Sequence, residues 1–339
     1  MLKKTLHIST SPHIFKGMST DVIMQNVVWA LLPVASFAVY SFGLNALVIL
    51  IVTTSSSVIT EHILCRLSNK ASTISDWSAV ITGLLLGLTL PPIFPLWMAA
   101  FGGVIAIALG KFVFGGLGYN VFNPALVGRA VLQAAFPAAI TTWGEAFSPD
   151  RFGNVSKSVI AFPFSEPVFD GMTGATPLSA FKFDHITANT QDLALGWISG
   201  SLGETSTLLI LIGGAYLIIR KMMNWRIPLA ILASVFLLSG ALYLFDNTIY
   251  PSPVFMLFSG GLMLGAIFMA TDMVASPTTP LGVIIYGAFI GILITIIRIW
   301  GGLPEGVMYA ILIGNAVSPH IENLIRTRVY GTSKASHSI

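Results

Sequence analysis

The chain alternates long apolar runs with short polar breaks, and the runs have the length of a bilayer crossing. A spanning helix needs about 20 mostly apolar residues. Runs near that length cover 22–43, 44–65, 95–114, 205–220, 227–245, 253–271, 281–299 and 306–323. Two apolar segments are shorter: 77–90, stopped by Pro91-Pro92, and 124–136, opened by Asn123-Pro124 and closed by Pro137. Proline suits the first turn of a helix and ends one that has run its course, so both segments read as half-helices. The pattern predicts an all-α polytopic membrane protein of about ten transmembrane helices. The polar stretches divide it into an N-terminal tail 1–21, a first five-helix unit 22–136, a loop 137–204, a second five-helix unit 205–323 and a C-terminal tail 324–339.

The two units echo one another. Gly115-Gly116-Leu117 recurs as Gly301-Gly302-Leu303, and ungapped comparison of 115–131 with 301–317 gives 8 identities in 17 positions. A second echo pairs the stretch from Gly83 to Gly87 with that from Gly261 to Gly265, at an offset of 178 rather than 186, so an insertion separates the two matches. The larger offset carries the fifth helix onto the tenth. An odd number of crossings per unit makes the repeats inverted in the membrane, an architecture in which sites fall between the halves. The Gly-x-x-x-Gly pairs themselves read as close helix packing.

Composition strengthens the membrane reading. Only 9% of residues are charged, mean hydropathy is +0.83 and 55% are hydrophobic. A soluble domain carries about 25% charged residues. Lysine and arginine are biased: with the N-terminus inside, 12 fall on the cytoplasmic side, Lys111 among them, and 4 on the other (Arg151, Lys157, Lys182 and Arg298). The positive-inside rule therefore puts both termini in the cytoplasm and the loop 137–204 in the periplasm. The first 21 residues are polar and basic and read as a tail, not a cleavable signal. Cys65 is the sole cysteine, so a disulfide, a thiolate zinc site or an iron–sulfur cluster held by this chain alone is excluded. Redox chemistry would need an organic cofactor or a neighbouring subunit. No nucleic-acid, metal or catalytic site is expected.

The segment with chemistry lies in the loop: Asp170-Gly171-Met172-Thr173-Gly174-Ala175-Thr176-Pro177. Thr176 supplies a hydroxyl, Gly174 and Ala175 add almost no bulk, and Pro177 is read as holding the acceptor in an extended, accessible stretch. The segment resembles the flavinylation motif Asp-x-x-Ser/Thr-Gly-Ala-Thr, in which a flavin transferase moves FMN from FAD onto the last threonine as a phosphodiester. Asp170 and Thr173 would then be read by the transferase or hold the loop. The resemblance extends over about residues 15–330, through Ser78 to Pro92 and Gly115 to Arg129, to the family of the D subunit of the Rnf complex and the B subunit of the sodium-pumping NADH:quinone reductase. With only about 20 residues before the first helix, the chain lacks the long N-terminal segment of the quinone-reductase branch and sides with the Rnf branch.

The resemblance implies two inverted five-helix repeats in the bacterial inner membrane and covalent FMN on Thr176. It also implies a non-covalent riboflavin, at no position the sequence marks. The implied partners are other membrane subunits, a peripheral flavoprotein, iron–sulfur subunits and the flavin transferase. The implied activity couples ferredoxin/NAD electron transfer to export of Na⁺ or H⁺, as part of a translocase not active through this subunit alone. A solute channel or transporter is the alternative from another class, and Thr176 discriminates: a channel has no use for a flavin acceptor.

Three polar positions inside apolar runs complete the expectations. Arg129 lies within a half-helix, where a charge costs roughly 2.5–3.5 kcal/mol on insertion scales, so it is expected to face the bundle interior. Two readings stand: it lines the cleft between the repeats and meets a flavin or a partner carboxylate, or it reaches the cytoplasmic interface and nearby carbonyls. Asn123 begins the same helix, whose N-terminus offers free N–H groups to a flavin carbonyl or simply carries its own cap. Asp272 is read as facing the cytoplasm or an ion path. Glu61 is placed in solvated interface.

Overall fold

The structure is a computed structural model describing residues 19–70, 72–163, 176–184, 186–204 and 206–325. Among these residues all regular structure is helical. The first repeat comprises α1 (Thr20–Phe42), α2 (Leu44–Leu67), α3 (Ser78–Leu88), α4 (Leu96–Phe112, its last turn π-helical) and α5 (Pro124–Ala135). The loop carries three short helices: α6 (Pro137–Ile140), α7 (Pro177–Asp184) and α8 (Thr190–Leu195). The second repeat comprises α9 (Thr207–Ile219), α10 (Arg226–Phe245), α11 (Pro253–Phe258), α12 (Leu262–Leu264, continuing as a π-helical turn Gly265–Met269), α13 (Pro280–Trp300) and α14 (Val307–Leu324).

Helix starts follow local chemistry. Ser19, Asn123, Ser206, Ser252 and Thr279 each accept from a backbone N–H in the first turn that follows, and Pro124, Pro253 and Pro280 occupy the first helical position. Among the described residues, α1, α2, α10 and α13 are long and apolar enough to cross a bilayer. With 11 and 12 residues, α3 and α5 rise only about 16–18 Å, roughly half of the hydrocarbon core.

The repeat is visible as packing. In the first unit α2 lies against α3 and α4, and α4 against α5; in the second α10 lies against α11 and α13, and α13 against α14. The units meet through equivalent helices, α1 with α9 and α5 with α14. Both contacts are antiparallel. Asn26, in the second turn of α1, accepts from Tyr216 (2.6 Å) and Arg220 (3.4 Å) at the end of α9. The start of α5 meets the middle of α14, while Arg129 farther along α5 meets Glu305 just before α14. That is the geometry of inverted repeats.

Three expectations need correction. The apolar run 253–271 is not one helix. It breaks at Ser259-Gly260-Gly261, where Ser259 is extended (ψ 143°) and Gly260 is left-handed (φ +65°). A Cβ on Gly260 would stand 2.6 Å from the Leu178 side chain, so only glycine fits there. Lys111 and Arg298, counted for the charge bias on the cytoplasmic and outer sides, are buried, at 3% and 4% exposed. Glu61 is buried rather than solvated, because Lys111 pairs with it at 2.7 Å.

Candidate functional site

Thr176 is the last motif residue and immediately precedes α7; Asp170, Thr173, Gly174 and Ala175 lie outside the described residues. The expectation of an extended, accessible acceptor is corrected at its C-terminal side. Pro177 opens a helix, as its fixed φ favours, and Thr176 is buried. Its Oγ1 accepts from the Ser179 amide (3.3 Å) and shares a hydrogen bond with the Ser179 hydroxyl (2.8 Å). These donors, at a helix N-terminus, suit a phosphate ester at the same oxygen. The residues present therefore fit a phosphate-tethered group.

Helix α7 is seated on the second repeat. Leu178 packs over Gly260 in the break between α11 and α12, and Phe181 lies against Phe255 of α11 at a ring separation of 5.6 Å. Lys182 reaches the end of α13, donating to the carbonyls of Arg298 (3.1 Å), Leu303 (2.9 Å) and Gly301. Partial burial holds its amine below the ordinary lysine value.

Directly beneath the break lies a buried charge centre shared by the two repeats. Arg129 of α5 pairs with Glu305 at 3.7 Å. The Gly261 amide also donates to Glu305. Glu204, in the segment preceding α9, lines the same small cavity as Glu305 and accepts from the Ser201 amide (3.4 Å). Its position is fixed by backbone bonds from Leu202 to the Leu90 carbonyl (3.1 Å) and from Gly203 to the Leu88 carbonyl (2.6 Å), which satisfy the open end of half-helix α3. Burial first, then the neighbouring Glu305, pushes the Glu204 carboxyl up to about 8, against the opposing pull of Arg129 and the Ser201 amide. Arg298 of α13 donates to the Met256 (2.6 Å) and Ser259 (2.8 Å) carbonyls at the end of α11.

Arg129 thus faces the interior between the repeats, and its partner is a carboxylate of this same chain. Asn123 caps α5 through Ala125 (3.0 Å) and donates to the Met269 carbonyl (3.1 Å). Asn315, the repeat mate of Arg129, accepts from the Asn123 amide (3.1 Å) and donates to the Tyr286 hydroxyl (2.7 Å) and the Ile311 carbonyl (3.2 Å). Each repeat therefore sends one polar side chain to the segment before the partner's fifth helix. The sequence reading did not single out Glu204, Glu305, Arg298 or Lys182 as site residues. The available signal was that Glu204 and Glu305 adjoin glycine at the very edge of an apolar run.

At the other end of the molecule a mostly apolar cleft of about 100 Å³ opens between α1, α3, α9 and α12, with Lys111, Asn120 and Asp272 among its lining. Asp272 accepts from Asn120 (3.3 Å) and from the Val274 amide (3.1 Å). Lys111 donates to Glu61 (2.7 Å) and Ser78 (2.5 Å) and lies 3.9 Å from Asp76.

Comparison with known proteins places this architecture. The model of the NQR2, RnfD, RnfE family matches residues 7–331. The chain is 40% identical over 342 residues to the D subunit of the proton-translocating ferredoxin:NAD(+) oxidoreductase complex of Clostridium ljungdahlii, covering 98% of both chains. It is 42% identical over 338 residues to the D subunit of the Na(+)-translocating ferredoxin:NAD(+) oxidoreductase complex of Acetobacterium woodii, again covering 98% of both. The D subunit of the ion-translocating oxidoreductase complex of Alcanivorax borkumensis is 37% identical over 336 residues, with 96% of this chain and 97% of the relative covered.

Proposed function

The chain belongs to the NQR2, RnfD, RnfE family, and from that membership we propose that it is a membrane subunit of an ion-translocating electron-transport complex, linking ferredoxin/NAD electron transfer to export of Na⁺ or H⁺. Its relatives at 37–42% identity are named as D subunits of such complexes, which favours the ferredoxin branch over the quinone-reductase branch. The partners are the complex's other membrane, iron–sulfur and flavin subunits. The setting is the bacterial inner membrane, with both termini cytoplasmic and the loop periplasmic, supported by the lysine and arginine bias.

The cofactor is FMN, attached as a phosphodiester to Thr176 by a flavin transferase. The observation that carries this is a threonine ending an Asp-x-x-Thr-Gly-Ala-Thr motif whose hydroxyl meets the Ser179 amide and hydroxyl at a helix start. The flavin supplies one- and two-electron carriage. The protein's part is positional: the Ser179 amide, which donates to Thr176 Oγ1, would hold the oxygen that carries the phosphate, and Leu178 and Lys182 lock α7 onto the second repeat. Thr176 is buried in the folded chain, so this reading requires the transferase to reach it before it is covered. A non-covalent riboflavin belongs to the same reading, at no assigned position.

The test is fluorescence of the denatured polypeptide under ultraviolet light after maturation with the transferase. A fluorescent band, lost in Thr176→Val, is expected, with an intact mass raised by one FMN residue. A polypeptide weighing only its amino acids would end the flavin assignment.

A further inference from the structure

We propose that Glu204 and Glu305 form a proton-binding site, in which one proton is held between two carboxyl groups contributed from opposite sides of the repeat boundary. Ionised carboxylates are acceptors only. Two of them buried against one another are therefore stabilised by sharing a proton, as like charges brought close disfavour double ionisation. Glu204 and Glu305 meet in this way: both line one small cavity, and Glu204 Oε1 and Glu305 Oε1 stand 3.6 Å and 2.9 Å from the same point, the position that a Cβ on Gly261 would take.

The site is built around the pair. A Cβ on Gly200 would stand 2.8 Å from Glu204 Oε2, and one on either Gly260 or Gly261 would stand 2.9 Å from Glu305 Oε1. Three glycines thus clear the volume the carboxyl groups occupy. The Ser201 amide serves Glu204 and the Gly261 amide serves Glu305, so each carboxyl has a fixed backbone donor. The adjoining cavity is about 30 Å³, with both carboxyl groups and Arg129 in its lining.

The cations are placed in keeping with this. The charged groups around the pair are Arg129 from α5 and Arg298 from α13. Arg129 pairs with Glu305 at 3.7 Å. Arg298 stands by the same Gly260 point, within 3.0 Å, and its charge acts on both carboxyl groups, yet its guanidinium donates to the Met256 and Ser259 carbonyls and leaves Nε without a partner. Its donors are spent on the end of α11, where carbonyls carry the negative end of the helix dipole, so the direct ion pair at the site is that of Arg129 with Glu305. The proton lies under Gly260, the residue that Leu178 of α7 covers, so the site sits directly below the helix that follows Thr176.

Infrared spectroscopy of the protein purified in its native assembly, with ¹³C-labelled glutamate, tests this without reference to flavin. Expected is a protonated-carboxyl C=O band that moves on labelling and titrates well above the ordinary carboxylate range. Glu204→Gln and Glu305→Gln should each abolish it. Should either glutamine variant fail to assemble, Glu204→Asp and Glu305→Asp keep the carboxyl, and the band should then escape the glutamate label shift in part. Exchange of K⁺ for Na⁺ at fixed pH should leave the band in place. No such band, a band indifferent to all four variants, or its loss on adding Na⁺ overturns the proposal; the last result would mark a sodium site.

Discussion

The two ends of the repeat pair solve the same problem differently. Lys111 and Arg298 both precede a Gly-Gly-Leu turn, with three and two residues in between. Each is buried and each touches the third helix of its own repeat, Lys111 at Ser78 and Arg298 at Met256. By the offset that relates Gly83 to Gly261, these contact positions are also mates. At the Lys111 end the cation sits between acids, paired with Glu61 at 2.7 Å and close to Asp76 at 3.9 Å, and Thr73 donates to Glu61. At the Arg298 end the cation is bound by carbonyls, and the acids face one another and Arg129. At one end a single cation is held among acids. The other keeps an acid pair whose proton count is free to change. Inverted duplication supplies equal scaffolds, and side-chain replacement has made one a fastener and the other a titratable centre.

The sharpest way to break this contrast is to remove the cation at each end. Lys111→Met leaves Glu61 buried without its cation. Stripping one partner from a buried pair costs about 3–5 kcal/mol. Arg129→Met should cost less, about 1–2 kcal/mol, because Glu305 keeps the Gly261 amide and the pair can take up a proton. Thermal unfolding of the purified assembly reads both. The contrast gains support if Lys111→Met/Glu61→Met recovers most of the loss, and fails if Arg129→Met is the more damaging of the two single changes.

The reason the sequence showed one half of this arrangement and hid the other is physical. Spanning segments are fixed by local transfer free energy, so the apolar runs marked α1, α2, α10 and α13 to within two residues at either end. The glycine matches likewise marked the repeat. Arg129 stood out because a charge in an apolar run has few places to go. Its partner did not stand out, since Glu305 lies in a turn and ion pairing across 176 residues leaves no local trace. The same holds for Lys111 with Glu61. The break at Ser259-Gly260-Gly261 had a signal, a Gly-Gly step within an apolar run, which hydropathy alone smooths over. The seat of α7 had none: Pro177 stops an earlier helix or starts a new one with equal ease, and tertiary contact with Gly260 and Phe255 decides.

A gentler probe of the contrast is pH. The Glu204 carboxyl is raised from 4.5 to about 8 in the fold. A raised acid binds its proton more tightly when folded, so its contribution to stability is complete below the unfolded value and is lost as pH rises through about 8. Between about 4.5 and about 8 stability should therefore fall with a slope of up to about 1.4 kcal/mol per pH unit, levelling off above about 8. Unfolding midpoints followed across that window should show this fall in the wild type and lose this component in Glu204→Gln. Glu61→Gln, at the opposite end, should not remove it. An equal slope across the window in the wild type and Glu204→Gln would mean that the acid pair is ionised like any surface pair.

The smallest expected effect concerns the tie between α7 and the titratable end. Lys182 donates to three carbonyls at the end of α13, among them that of Arg298. These carbonyls lie near the surface and can hydrate once released, so Lys182→Met should weaken the seat of α7 by only about 1 kcal/mol. That is still about a fivefold rise in the unseated fraction. Because Thr176 is buried when α7 is seated, the initial rate of flavin attachment by the transferase should rise by a similar factor, while the final extent stays the same. Time courses of covalent fluorescence measure this. An unchanged rate would mean that Thr176 is reached without unseating α7, and a slower one that the transferase itself reads Lys182. Either result would separate the attachment site mechanically from the charge centre beneath it, leaving the two ends of the repeat pair distinguished by their acids alone.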